Sequence, residues 1–146
     1  MKRILTLLHA LWFGAHLSVG YVVAPLLFAY ADDGLFSKQT AGNIAGDLFE
    51  CVMYLGLVVS VGWCVFLRQQ NLPNRLPKAL LFLLMVSQFI VTPVIVAIKQ
   101  QQNQWLLDLV GGSFGVWHGI SSALYLFISI LLMVLTWQRL QVKGRY

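Results

Sequence analysis

The chain has 146 residues, of which 59% are apolar and only 10% charged, against about 25% charged in an ordinary soluble domain. Mean hydropathy is +0.77. These values exclude a disordered chain, which needs low hydrophobicity and high charge, and a conventional soluble domain, whose surface needs charge to stay dispersed. The length suits one domain, residues 1–146, embedded in a membrane. The net charge of +5 does not call for a nucleic-acid partner, because the basic residues lie between apolar runs rather than on one polar face.

In chain order, Met1-Lys2-Arg3 opens like a signal peptide. The apolar run behind it continues well past the length of a signal core, so it reads as an uncleaved first span, about 4–28. Its row Ala10-Gly14-Ser18 is expected to be a packing face, since small residues at four-residue spacing let backbones approach in lipid. His9 lies about a turn and a half inside one edge and His16 near the midplane. They share a face but sit about 10 Å apart along the axis, too far for one metal. Trp12 is out of place among the chain's tryptophans, which otherwise fall near predicted interfaces.

Residues 29–47 read as a polar loop in which Gly42-Asn43-Ile44-Ala45-Gly46 bends a short surface segment. The second span, about 48–67, begins beside Glu50 and carries the small-residue row Gly56-Ser60-Cys64. Cys51 and Cys64 lie in this one run, about 20 Å apart if helical, so they cannot form a disulfide with each other. Residues 68–78 are a turn-rich linker. The third span, about 79–98, lacks a small-residue row and is expected to pack through larger side chains. Pro93 in it has surroundings like those of Pro25, offset by 68 residues, which suggests a parallel two-plus-two repeat. The same offset sets Glu50 against His118.

Residues 99–113 hold a glutamine-rich piece and Gly111-Gly112. The fourth span, about 114–137, carries the row Gly115-Gly119-Ala123 and a polar stripe of His118, Ser122, Tyr125 and Ser129. The tail adds Arg139, Lys143 and Arg145. Eight of the ten basic residues fall at the N-terminus, in the second linker and in the tail, and all five acids on the other side. Lys and Arg stay cytoplasmic, so both termini should be cytoplasmic. Unalternating spans of this length are helices, not barrel strands. The expected fold is all-α: an integral membrane four-helix transmembrane bundle, N-in and C-in, in a bacterial inner membrane.

Intramembrane polar residues are the default functional candidates. Two groups emerge from the expected depths: an outer-side polar site of Glu50, His118 and Ser122, and a midplane network of His16, Gln88 and Tyr125. His9, His16 and His118 are weak metal candidates. No catalytic residue is indicated, because the chain has no phosphate loop, no nucleophile elbow, no His-Glu-x-x-His and no Cys-x-x-Cys. The expected role is a module for transport of a small solute or metal, or for stress resistance, with no resident cofactor. The alternatives are a redox protein binding b-type haem through a histidine, or a structural subunit of a larger membrane complex. Partners are the lipid bilayer and either a second copy or another membrane protein. No nucleic acid is expected.

Three stretches together carry a family likeness: Leu11-Trp12-Phe13-Gly14 with Val23-Ala24-Pro25-Leu26-Leu27-Phe28; Ala41 to Phe49; and Phe114-Gly115-Val116-Trp117-His118-Gly119-Ile120-Ser121. In this order and spacing they resemble the transmembrane protein 205-like family, a four-helix membrane domain of unknown molecular function. The resemblance implies four spans and picks out Trp12, Gly14, Pro25, Phe28, Gly42, Gly46, Phe49, His118, Gly119 and Ser121. The eukaryotic namesake's link to platinum-drug resistance and vesicular traffic implies, loosely, handling of a metal compound. There is a fainter similarity to copper-resistance membrane proteins and to haem-binding membrane protoporphyrinogen oxidases, which also place histidines in the first helix. The arginine pattern expected after that helix in the haem proteins is missing here.

Overall fold

The computed structural model describes residues 2–141. The expected tail cations Lys143 and Arg145 lie outside the described residues. The elements are α1 (Lys2–Ser18), α2 (Ala24–Asp32), α3 (Lys38–Gln69), α4 (Arg75–Val86), α5 (Thr92–Gln100), α6 (Trp105–Val110) and α7 (Phe114–Gln141). Five-residue π-helical turns join α1 to α2 (Val19–Val23) and α4 to α5 (Ser87–Val91). There is no strand among the described residues. Four helical segments are long and apolar enough to cross a membrane: Lys2–Asp32, Lys38–Gln69, Arg75–Gln100 and Phe114–Arg139. The chain is therefore a multi-pass membrane protein, in which each span satisfies its own backbone hydrogen bonds.

The helices outrun the apolar runs. The expected loop 29–47 is mostly helix: only residues 33–37 connect α2 to α3. Ser37 caps α3, its hydroxyl accepting the Thr40 N–H at 3.0 Å, which satisfies one of the orphan donors at a helix start. Across that join Lys38 pairs with Asp32 at 2.7 Å. The glycine-rich stretch 42–46, expected to bend, is helical. Two glycines cost about 1 kcal/mol each in a helix, but Ala41 and Ala45 beside them are buried on the side of α3 that meets α2. The linker 68–78 shrinks to 70–74, since Pro77 sits in the first turn of α4, where its missing N–H costs nothing. Residues 99–113 contain α6, which composition did not suggest.

Neither proline ends its helix. Pro25 and Pro93 are each the second residue of a helix that follows a π-turn directly. The Ala24 N–H reaches the Val19 carbonyl and the Thr92 N–H reaches that of Ser87. One wide turn just before the ring lets the chain pass a residue that has no N–H and crowds the carbonyl four positions back. In the second instance the Thr92 hydroxyl also donates to the Ser87 carbonyl at 2.9 Å.

The chain divides into two compact units, one within residues 1–78 and the other within 79–146. In the first, α1 and α2 run antiparallel to α3. In the second, α5 and the π-turn before it pack on α7, around Val91, Val94 and Trp117. The 68-residue offset of the sequence recurs in the structure. The two π-turns start 68 residues apart, and the buried positions 9, 12, 16 and 19 of the first proline helix correspond to the buried positions 77, 80, 84 and 87 of the second.

Candidate functional site

In α1, positions 5, 9, 12, 16 and 19 recur at spacings of three and four, so they form one face, and all five are buried. That face, and not the expected row Ala10-Gly14-Ser18, is the packing face. The small-residue row is exposed, and nothing lies within 4 Å of a Cβ built at Gly14. The reason is complementarity: α1 supplies the bulk and α3 the gaps. A Cβ at Gly56 would lie 2.6 Å from Cε2 of Trp12, and one at Gly62 2.8 Å from Cδ1 of Leu5. The expected row Gly56-Ser60-Cys64 does face inward, with Gly56 and Ser60 buried and Cys64 half-buried. Trp12, out of place as an interfacial residue, is wholly buried because it fills the notch that Gly56 leaves.

This packing encloses a column of rings. His9 meets Trp12 and Trp63 edge-on, each at 6.0 Å between ring centroids, and Trp12 meets His16 edge-on at 6.4 Å. Trp63 meets Phe66 in the same way at 5.9 Å. Such T-shaped contacts set a ring's positive edge against its neighbour's negative face. His9 is 4% exposed and His16 fully enclosed. The Trp12 indole N–H and the Ser60 hydroxyl are also buried, and neither has a hydrogen-bond partner among the described residues. In hydrocarbon such a group costs free energy that the apolar equivalent would not. The packed faces of α1 and α3 therefore bury two imidazoles, an indole N–H and a hydroxyl, polar groups that packing in lipid does not itself require.

The other expected residues are placed as follows. Glu50 and its neighbour Cys51 are exposed on α3. In the second unit, His118 is exposed and stacks on Phe114 at 5.5 Å with 12° between the planes, and Lys99 Nζ lies 5.9 Å from the centre of that same ring. Ser122 is exposed, and its hydroxyl donates to the His118 carbonyl at 2.9 Å. The polar stripe of α7 splits: His118 and Ser122 face outward, while Tyr125 and Ser129 are buried, the latter donating to the Tyr125 carbonyl at 2.8 Å. The row Gly115-Gly119-Ala123 is exposed, so it is not the packing face of α7. The third span packs through larger side chains, as expected, with Leu80, Leu84, Val91 and Val94 buried. Of the midplane set, His16 is buried in the first unit, and Gln88 and Tyr125 are buried in the second, on the π-turn and the helix that pack together there.

Among the described residues no group of three or more His, Cys, Asp or Glu side chains is placed to hold a metal ion. Sequence reasoning found both histidines of the column but missed Trp12 and Trp63 as their neighbours. The signal was present: Trp12 lies three residues from His9 and four from His16, on their face, and the Gly56-Ser60 row supplies the gap that an indole needs.

No curated protein and no solved structure matches the chain. A family model described as a domain of unknown function, DUF4149, matches residues 7–104. The match takes in the ring column and both prolines, and stops before the stretch around His118. The chain belongs to the DUF4149 family, a domain whose function is unknown.

Proposed function

We propose that the chain is a bacterial inner-membrane module, with both termini cytoplasmic, that handles a small solute or metal compound in transport or stress resistance, and that the ring column of the first unit is its working part. The burial of His9 and His16 beside Trp12 within a membrane span carries this reading. Imidazole is the side chain that gains and loses a proton near neutral pH, and ionisable groups inside a span are rare, costly and found along pathways for ions, protons or substrates. The unsatisfied Trp12 N–H and Ser60 hydroxyl add a donor and a donor–acceptor to the same seam. The resemblance to transmembrane protein 205-like proteins agrees with a metal compound as the solute. The charge asymmetry of the loops supports the orientation.

The test is complementation. A strain lacking the gene is challenged with transition-metal salts, metal complexes and membrane-active compounds, and then supplied with the parent chain or with His9→Ala, His16→Ala, Glu50→Gln or His118→Ala at matched membrane levels. The reading expects the parent to restore growth and the His9 and His16 variants to fail. If those two restore it fully while Glu50→Gln or His118→Ala fails, the working groups are the exposed ones. The same purified protein tests the haem alternative. A Soret band after expression in haem-replete cells, lost in His9→Ala or His16→Ala, would replace the transport reading. Reporter fusions that place the C-terminus outside the cytoplasm would overturn the orientation.

A further inference from the structure

The six-residue helix α6, with Trp105 and Leu109 on one face, is not accounted for by the ring column or by the spans. It lies between the end of α5 at Gln100 and the start of α7 at Phe114, so it sits at the membrane face where one span stops and the next begins. Its side chains divide three ways. Leu106 and Leu107 pack on the cluster of Val91, Val94 and Trp117. Asp108 is exposed. Trp105 and Leu109, one helical turn apart, are 71% and 76% exposed, and Val110 at the end is 63% exposed.

The segment is held in place, so this exposure belongs to an ordered element. The Gln104 side chain caps it, accepting the Leu107 N–H at 2.9 Å. After it, Gly111 and Gly112 take φ of 69° and 107°, left-handed values that glycine adopts without strain. The Trp117 indole N–H donates to the Gly111 carbonyl at 3.0 Å and ties that turn to α7.

We infer that α6 is an in-plane foot whose Trp105 and Leu109 insert into the headgroup boundary of the leaflet at which α5 ends. Lipid is the occupant because α6 is tied to two membrane-spanning segments by short connections, residues 101–104 and 111–113, so its exposed apolar side chains lie at the membrane boundary. A tryptophan with an adjacent aliphatic on one face and a carboxylate beside them is also the division that an interfacial helix makes between acyl chain and water. Such a face sits about 5–10 Å into the headgroup and acyl boundary. The foot would set the depth of α5 and α7, the helices on either side of it.

The experiment uses the full chain carrying Cys51→Ser and Cys64→Ser, reconstituted in phosphatidylcholine–phosphatidylglycerol vesicles. A polarity-sensitive fluorophore is attached at Leu109→Cys, Val110→Cys or Asp108→Cys in turn. Each variant is exposed to aqueous iodide and to lipids spin-labelled either high on the acyl chain or near its methyl end. The expected pattern is strongest quenching of the Leu109 site by the shallow label, weaker quenching by the deep label, and iodide access at the Asp108 site. Iodide access at Leu109 with no lipid quenching would overturn the inference, placing α6 in water. Best quenching by the deep label would overturn it by making α6 part of a span. Protection from every quencher would overturn it by showing a protein cover, such as a second copy. If Leu109→Cys does not insert, the Val110 site gives the same reading.

Discussion

The two halves of the molecule use one frame for different contents. Each begins with a helix whose buried residues follow the same spacing, widens through a five-residue π-turn, passes a proline and ends within the same register. At the buried positions, the first proline helix has His9, Trp12 and His16 where the second has Pro77, Leu80 and Leu84. The proline, its turn and the packing register are thus common requirements of a span that crosses the membrane and folds back. The imidazoles and the indole are not, because the second proline helix builds the same face from proline and leucine. That contrast, more than the histidines alone, singles out the first unit as the specialised one.

The largest effects should come from the notch. Trp12→Ala empties a fully enclosed site. Its expected cost is about 3 kcal/mol in unfolding from mixed micelles, carried by the cavity because lipid offers little transfer drive. Gly56→Ala places a methyl within 3 Å of the Trp12 ring and should cost about 1–3 kcal/mol by overpacking. The offset sets Leu80 and Leu124 where the first unit has Trp12 and Gly56. Combining Trp12→Leu with Gly56→Leu should therefore recover stability that each single change loses, a coupling of about 1 kcal/mol or more in a double-mutant cycle. Strict additivity would break the comparison at its best-defined contact. The smallest effect belongs to the first unit's surface. Removing the exposed Lys38–Asp32 pair with Lys38→Ala should leave the unfolding transition nearly unchanged, and added salt should erase any difference.

Much of the fold was legible because lipid enforces it. Apolar length gave the four crossing segments, and the repeated proline context marked the two places where π-turns occur without revealing the turns themselves. Helix ends were misjudged where polar residues continue a helix beyond hydrocarbon. Lys38 to Asp47 reads as a loop by composition, yet Ser37 caps it and Ala41 and Ala45 bury one side. The small-residue rows misled in α1 and α7 because, in membranes, a gap packs only when a partner brings bulk to it. Gly56 has Trp12; Gly14 and Gly119 face nothing within 4 Å. Of the candidate sites, the histidines stood out by cost. Of their neighbours, Trp12 lies on their own face of α1, but Trp63 comes from α3, and no pattern within one helix shows which face of the next will meet it.

The most direct test converts the first unit's register to that of the second at one position. His16→Leu keeps a side chain of similar size where the second unit carries Leu84, so the chain should insert normally and lose no more than about 1 kcal/mol. Under the challenge that the parent chain relieves, this account predicts that the His16→Leu chain, present in the membrane at parental level, fails to restore growth. Full restoration would contradict it and reduce the ring column to packing.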